Sequence, residues 1–230
     1  MRAVELQILA GGALTGPLNE LAARFEKASG HKLVIRFGTT PELVKLATTG
    51  GPFDLGVTPR DVFKDAAALD RFVPGPTTDI ARVGLGVAVR AGAAKPDIGT
   101  PEALKRMLLE AKSIATIPAS AGGAATMRAL DLLGVGEAVR AKSKACAGPA
   151  QFVQAVAKGE AELGVFLQNV LTAPGLDVVG PFPAGLQQEV VFTAAVAANA
   201  REPDAARAFL VFLTTPDAKA VFKAKGMTPS

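Results

Sequence analysis

This chain of 230 residues has no tryptophan and no tyrosine, and it has a single cysteine, Cys146, and a single histidine, His31. One cysteine excludes a disulfide within the chain, and this inventory excludes the zinc sites and Cys–His pairs that need several such residues. We expect Cys146 to be a small packing residue and His31 to be an exposed loop residue. The commonest acid–base and nucleophilic mechanisms are therefore disfavoured.

Charge and hydropathy exclude two further classes of protein. The net charge is +4, the basic residues are scattered, and the missing tryptophan and tyrosine remove the usual stacking surfaces for bases, so we predict no nucleic-acid binding. No uninterrupted apolar run has the length of a membrane span, so we predict no membrane insertion. The first residues lack the pattern of a secretory leader. We expect either a chain that stays in the cytoplasm or one from which a leader was removed.

Two strand–turn–helix units open the chain. The first is a strand over 4–10, a glycine turn and a helix over 14–29; the second is a strand over 32–38, a turn at Thr39 and Thr40, and another helix. Helix N-termini that follow neighbouring parallel strands expose backbone N–H groups and a positive dipole end at one sheet edge. This edge therefore suits a small anion.

The alternation of strands and helices continues through the chain. A strand over 54–58 and a helix over 60–69 follow, and then two long β-rich runs, 80–90 and 187–198, bracket a second alternating region. This order predicts an α/β fold with two lobes, each a mainly parallel sheet flanked by helices, joined by two crossing strands. Lobe 1 is expected over 1–82 and 195–230, and lobe 2 is expected as an insertion over 83–194.

Candidate ligand-binding residues lie where these strands end. Small residues there let an anion approach the backbone closely, and the segment before the helix predicted from Ala124 lacks the Lys-Ser/Thr pair of a nucleotide-binding loop. The candidates are Gly12, Ala13, Thr39, Thr40, Ser120, Ala121, Gly122, Gly123, Gln168 and Asn169.

Each candidate also has a purely structural interpretation. The glycine turn is equally consistent with an ordinary tight turn. Thr39 and Glu42 fit a capping box, and the same Thr-Pro-acid pattern recurs at 100–102 and 215–217, where helices are also predicted to begin. The amides of residues 168 and 169 have the chemistry to hold a ligand or to cap the next turn. Both interpretations stay open at the level of sequence.

Five segments resemble, in this order, the molybdate-binding proteins of the type II periplasmic binding protein superfamily. They are 9–14 (LAGGAL), 37–43 (FGTTPEL), 51–58 (GPFDLGVT), 162–166 (ELGVF) and the closing helices over 208–226. The resemblance implies a solute-binding protein that closes two lobes over a small anion. It also implies a monomer without a cofactor or catalytic residue. Such a protein works with the permease of an ABC-type transporter or in a sensing system, and it is periplasmic if a leader was removed.

Two departures from that family bear on the ligand. The family has a hydroxyl residue where this chain has Ala13, and commonly a tyrosine where it has Leu167, which joins the candidate ligand residues. The missing donors disfavour molybdate and favour an organic carboxylate. A carboxylic-acid isomerase on the same fold, resembling aconitate isomerase, is the alternative, and Glu42, Asp54 or a lysine would then carry the proton.

Overall fold

The computed structural model describes residues 3–230. The chain forms two compact units: unit 1 is Met1–Arg82 with Val191–Ser230, and unit 2 is Val83–Val190. The second boundary therefore lies at 190/191, whereas the sequence placed it at 194/195.

The strands and helices of the described residues alternate along most of the chain. The strands are β1 (Glu5–Gly11), β2 (Lys32–Gly38), β3 (Leu55–Pro59), β4 (Thr78–Val83), β5 (Leu85–Arg90), β6 (Ile114–Thr116), β7 (Ser143–Ala145), β8 (Leu163–Leu167), β9 (Leu176–Pro181), β10 (Val190–Val196) and β11 (Thr228–Pro229). The α-helices are α1 (Thr15–Ser29), α2 (Thr40–Thr49), α3 (Ala66–Leu69), α4 (Pro101–Glu110), α5 (Ala121–Leu132), α6 (Gly136–Ala141), α7 (Pro149–Ala157), α8 (Gln168–Leu171), α9 (Pro203–Leu213) and α10 (Pro216–Ala224). Short 3-10 helices cover Gly12–Leu14, Arg60–Lys64 and Ala184–Leu186.

Each unit is built on one sheet flanked by helices, which confirms the predicted α/β class. The sheet of unit 1 has the order β11-β4-β10-β3-β1-β2, and that of unit 2 has the order β7-β6-β8-β5-β9. Both sheets are mixed rather than mainly parallel. In unit 1, β1 runs parallel to β2 and β3. β10 begins at the edge where β3 ends, and it is therefore antiparallel to β3. In unit 2, β6 runs parallel to β7 and β8, whereas β5 is antiparallel to β8 and β9.

One apolar layer of unit 1 positions its turns. Leu9 of β1, Leu43 of α2 and Phe72 belong to one buried cluster, so α2 packs on one face of the sheet. The rings of Phe53 and Phe72 meet edge to face with their centres 5.3 Å apart. This packing fixes the start of α2 at the edge where β2 ends.

The predicted long strand over 80–90 is wrong, because the run is divided at Gly84 into β4 and β5, which belong to different sheets. A Cβ atom on Gly84 would lie 2.8 Å from Oε1 of Gln187. That oxygen accepts the Leu85 N–H at 2.5 Å, and Nε2 donates to the Leu85 carbonyl at 3.0 Å. A side-chain amide thus takes the place of a strand neighbour here.

The predicted helix over 60–69 is also divided. Asp65 is the N-cap of the short helix α3 and accepts the Ala68 N–H at 2.9 Å, so the preceding residues form a separate 3-10 helix. The Asp65 side chain competes for local backbone groups and breaks the helix, as short acidic residues commonly do at helix starts.

The one histidine and the one cysteine of the sequence are both buried. His31 is only 6% exposed, so the prediction of an exposed residue is wrong. Its Nδ1 accepts a hydrogen bond from the Val4 N–H at 3.3 Å, and its ring centre lies 6.0 Å from that of Phe25. Cys146 is buried as predicted, and burial raises the pKa of its thiol. Within residues 3–230, no acidic, histidine or cysteine side chains cluster in a way that suits a metal ion, and no helix is long and apolar enough to cross a membrane.

Candidate functional site

The two opening turns of the chain lie side by side at one edge of the unit 1 sheet. β1 and β2 are parallel neighbours, and their register ends with Gly11 beside Gly38. The 3-10 turn Gly12–Leu14 and the start of α2 therefore leave the sheet at the same edge. This arrangement confirms the predicted pair of helix N-termini on neighbouring parallel strands.

Thr39 acts as the cap of α2. Its N–H donates to Oε2 of Glu42 at 2.7 Å, and its hydroxyl donates to the same oxygen at 2.9 Å, as in a capping box. These two hydrogen bonds hold the pKa of Glu42 below its ordinary value. Thr40 is the first residue of the helix, and Pro41 after it has no N–H to offer. This turn therefore carries a carboxylate of its own at the place where an anion was predicted.

The turn after β1 has a different character. The Thr15 hydroxyl donates to the Gly12 carbonyl at 2.7 Å, so this side chain, which sequence reasoning did not single out, fixes the turn that contains Ala13. No side chain caps the N-terminus of α1, and a Cβ atom on Gly16 would meet nothing within 4 Å. At the start of α1 the Thr15 N–H already donates to the Gly12 carbonyl and Pro17 has no N–H, so the exposed Gly16 is the residue whose amide can face an anion. Residues 12–17 include no acid, so this turn is the better candidate of the two for an anion site.

In unit 2, helix α5 begins at Ala121 and not at Ala124 as predicted, so part of the predicted turn is its first helical turn. Ser120 is the N-cap: its Oγ accepts the Gly123 N–H at 2.9 Å and donates to the Ile117 carbonyl at 2.8 Å. The hydroxyl is therefore engaged in local structure. The helix itself offers no acceptor to the N–H of Gly122, its second residue.

Packing requires both glycines of this turn. A Cβ atom on Gly122 would lie 2.7 Å from the Phe166 ring and 2.9 Å from Cγ of Leu167, and one on Gly123 would lie 2.0 Å from the Ile117 carbonyl oxygen. Leu167 is buried at the end of β8 and packs against the turn at Gly122. The structure thus brings this part of the predicted site together, with Leu167 as a packing residue.

Gln168 and Asn169 follow directly, at the start of α8. The Gln168 N–H donates to the Gly84 carbonyl at 2.9 Å, and its side-chain Nε2 donates to the Leu85 carbonyl at 3.1 Å. Asn169 is buried, and its main-chain carbonyl accepts a hydrogen bond from the Thr172 hydroxyl at 2.9 Å. The amide of Gln168 ties the end of β8 to β5 and does not cap the next turn, so this structural role differs from the cap that the sequence suggested.

Asp54 lies at the opposite edge of the unit 1 sheet, just before β3 begins. Its Oδ2 accepts the Gln7 N–H at 2.8 Å, and its Oδ1 accepts the N–H groups of Arg201 at 2.7 Å and Glu202 at 3.1 Å. The carboxylate joins β1, β3 and the residues before α9. Of the two acidic residues considered as proton carriers, only Glu42 lies at the turn edge.

A polar cluster at the end of β3 was not found from the sequence. Arg60 pairs with Asp79, and the buried Thr193 hydroxyl donates to Asp79 Oδ1 at 2.9 Å. Arg60 holds the pKa of Asp79 below its ordinary value. Thr58, which faces Thr193 in the β3–β10 register, is buried, and its hydroxyl oxygen has no hydrogen-bond partner within residues 3–230. The partner of Arg60 lies 19 residues away, so no local sequence pattern predicts this pair.

Comparison with known proteins agrees with the resemblance given by the sequence. A family model described as bacterial extracellular solute-binding protein matches residues 6–228. Aconitate isomerase of Pseudomonas sp is 33% identical over 238 residues, covering 97% of this chain and 87% of that protein. The molybdate-binding protein ModA of Azotobacter vinelandii is 29% identical over 235 residues, covering 98% and 90%.

A solved structure supports the fold. The periplasmic molybdate-binding protein of Azotobacter vinelandii superposes with a TM-score of 0.82 at 22% identity, covering 97% of this chain and 98% of that one. With the paired turns of unit 1, the α5 turn of unit 2 and a family match along almost the whole chain, the protein belongs to the bacterial extracellular solute-binding protein family and has a molybdate-binding-protein-like fold.

Proposed function

We propose that this protein binds a small organic anion carrying carboxylate groups, as the solute-binding component of an ABC-type transport or sensing system. The observation that carries the proposal is the nature of the donors at the strand ends. The Gly16 amide of α1 and the Gly122 amide of α5 are backbone groups at helix N-termini, where a negative charge is stabilised.

The side chains at these turns favour a carboxylate over a tetrahedral oxyanion. The hydroxyls of Thr15, Thr39 and Ser120 already donate to acceptors within their own turns. A desolvated tetrahedral anion needs nearly all its oxygens satisfied, and each missing donor costs about 1–3 kcal/mol. A carboxylate needs fewer donors, and the rest of its molecule can pack against small apolar residues such as Ala13. The aconitate isomerase relative supports a ligand of this class.

A thermal-shift screen tests the proposal directly. The unfolding temperature is measured with molybdate, tungstate, sulfate, citrate, cis-aconitate and trans-aconitate, each over a wide concentration range. A ligand present at a hundred times its Kd stabilises the folded protein by about 2.7 kcal/mol, which is readily detected. We expect di- or tricarboxylates to raise the unfolding temperature and the inorganic oxyanions to leave it unchanged. The reverse pattern contradicts the carboxylate assignment.

A second function is favoured by one observation, the 33% identity to aconitate isomerase. Isomerisation of an unsaturated carboxylic acid removes a proton at one carbon and returns one at another. Glu42 is the acidic group at the turn edge; it is ionised near neutral pH, but its lowered pKa makes it a weaker base than an ordinary carboxylate.

The Glu42→Gln variant separates the two functions. If the protein only binds, the variant loses a negative charge at the turn while its amide oxygen still accepts hydrogen bonds, and anion affinity increases severalfold. If the protein is an isomerase that uses Glu42, proton NMR of cis-aconitate incubated with wild-type protein shows the trans isomer accumulating, and the variant abolishes this conversion. We expect the first result and no conversion.

A further inference from the structure

The polar cluster formed by Arg60, Asp79, Thr193 and Thr58 at the end of β3 has no part in the turns described above. Its Arg60 end is next to them, because Ala10 pairs with Val57 and a Cβ atom on Gly11 would be 3.1 Å from the Pro59 ring, whereas Asp79 and Thr193 belong to β4 and β10, on the side of β3 away from β1. Arg60 therefore starts from the same sheet edge as the turn of Gly12 and Ala13.

The cluster is organised from a buried anchor to an exposed cation. Thr193 is fully buried, and its hydroxyl donates a hydrogen bond to one oxygen of Asp79. The other oxygen of Asp79 accepts a hydrogen bond from Nη2 of Arg60. The Arg60 side chain is 56% exposed. Asp79 thus reaches Arg60 from a fixed position, so the guanidinium is held and not simply solvated.

Arg60 also has donors left over. Asp79 is its one hydrogen-bond partner within residues 3–230, and a guanidinium has five N–H donors. The planar group can bind Asp79 through one edge and present another edge to a carboxylate with two parallel hydrogen bonds.

Four other arginines that have partners in the structure lack this combination. Arg36 donates to the carbonyls of Gly50 and Pro52 and so fixes a loop. Arg24 and Arg207 pair with acids on their own helices. Arg140 pairs with Asp131 on the neighbouring helix, with both side chains more than half exposed. Arg60 is paired across strands to an acid that a buried residue anchors.

The cluster also has more polar capacity than its packing uses. Thr58 lies directly opposite Thr193, on the sheet face covered by Phe72, and its buried hydroxyl oxygen has no hydrogen-bond partner in the described part of the chain. A buried hydroxyl left in this way is unfavourable and is uncommon where only packing is at stake. This points to a role for the cluster beyond folding.

We propose that Arg60 recognises a carboxylate group of the ligand, and that Asp79 and Thr193 act as positioning residues for it. The inference rests on the proposed function and deepens it, since it assigns the selectivity for carboxylates to a residue outside the two helix N-termini. Arg60 supplies the charge that the backbone amides lack, and it favours ligands with at least two carboxylates: one for Arg60 and one for the amides.

Titration calorimetry of the whole chain with trans-aconitate, citrate and molybdate tests the assignment. We expect Arg60→Gln to weaken binding of the tricarboxylates about tenfold to a hundredfold, the loss typical of a charge-assisted pair, and Arg60→Lys to recover part of it. The dependence of Kd on salt concentration should also become shallower in Arg60→Gln. Arg140→Gln is the matched control, because its side chain is similarly exposed (54% against 56%) and also paired; we expect unchanged affinity.

The positioning role has its own readout. Asp79→Asn should weaken the binding of tricarboxylates less than Arg60→Gln does, and Asp79→Glu should restore it. If Asp79 were merely structural, its replacement would change the unfolding temperature without changing the ratio of citrate to molybdate affinities. If the wild-type protein binds tricarboxylates and the Kd of Arg60→Gln for them is within twofold of the wild-type value, the Arg60 assignment is wrong. The proposed function then still stands. A wild-type protein that binds only molybdate, or none of the three, contradicts both.

Discussion

At the scale of single residues, most polar side chains near the turns serve the fold. Asp54 shows this best, because a Gly-Pro-x-Asp motif that resembles a ligand-binding family proves to carry a structural carboxylate. It accepts three backbone N–H groups, from Gln7, Arg201 and Glu202. Its partners lie up to 148 positions away, so no local pattern could have predicted them.

Replacing Asp54 with alanine should therefore destabilise the protein strongly. The substitution leaves three backbone donors in a buried place without an acceptor, and we expect a loss of about 3 kcal/mol or more in the free energy of unfolding. Urea denaturation followed by circular dichroism measures it. Asp204→Ala is the control, since its side chain is 96% exposed and pairs with Arg207 on the same helix; a change below about 1 kcal/mol is expected there. Equal effects of the two substitutions would refute the structural role of Asp54.

At the scale of elements, the proposed site depends on which helix N-termini are left open. The Thr39 turn is closed by its own Glu42, whereas α1 has no side-chain cap and α5 has only Ser120. The glycines of α5 are required by packing, which can be tested apart from any ligand.

Gly123→Ala should be far more damaging than Gly16→Ala. The new Cβ atom at position 123 would lie 2.0 Å from a backbone oxygen, and we expect a loss of at least about 3 kcal/mol in the free energy of unfolding. At position 16 it would meet nothing within 4 Å, and alanine is the better helix former, so the change should lie within about 1 kcal/mol and towards stabilisation. Chemical denaturation of both variants gives the comparison. Similar stabilities would mean that α5 does not pack as described.

Glu42 predicts a dependence of stability on pH. Its pKa is lowered from 4.5 in the folded protein by the two hydrogen bonds from Thr39. The carboxylate therefore contributes stability above pH 4.5, and this contribution is lost as the pH falls through the lowered pKa. Unfolding temperatures measured from neutral pH downwards should fall less steeply below pH 4.5 in Glu42→Gln than in wild type. Glu102→Gln, at the start of α4, should keep the wild-type profile, and a wild-type profile in both variants would rule out this capping box.

The predictability of these elements differs for physical reasons. Strand β2 and the capping box of α2 follow from short-range patterns, apolar periodicity and a Thr-x-x-Glu spacing, and both are found where predicted. The division at Gly84 was missed because it depends on a side-chain amide from Gln187, about a hundred residues later in the chain. The Arg60–Asp79–Thr193 cluster was missed for the same reason, since β10 brings its third member from the far end of the sequence.

At the scale of the whole molecule, the chain has the fold of a molybdate-binding protein and departs from that family in its donors. Ala13 and Leu167 stand where that family is expected to have hydroxyl residues, and the structure engages the Thr39 and Ser120 hydroxyls within their own turns. The proposed ligand therefore differs from that of molybdate-binding proteins although the architecture is shared.

Calorimetry on the wild-type protein tests this central claim most directly. trans-Aconitate and molybdate are titrated separately into the same preparation, after bound small molecules have been removed by partial unfolding and refolding. The account predicts a saturable heat with a micromolar or tighter Kd for trans-aconitate and no measurable binding of molybdate. Micromolar or tighter binding of molybdate, with trans-aconitate giving no heat, would show that backbone amides replace the missing hydroxyls and that the account is wrong.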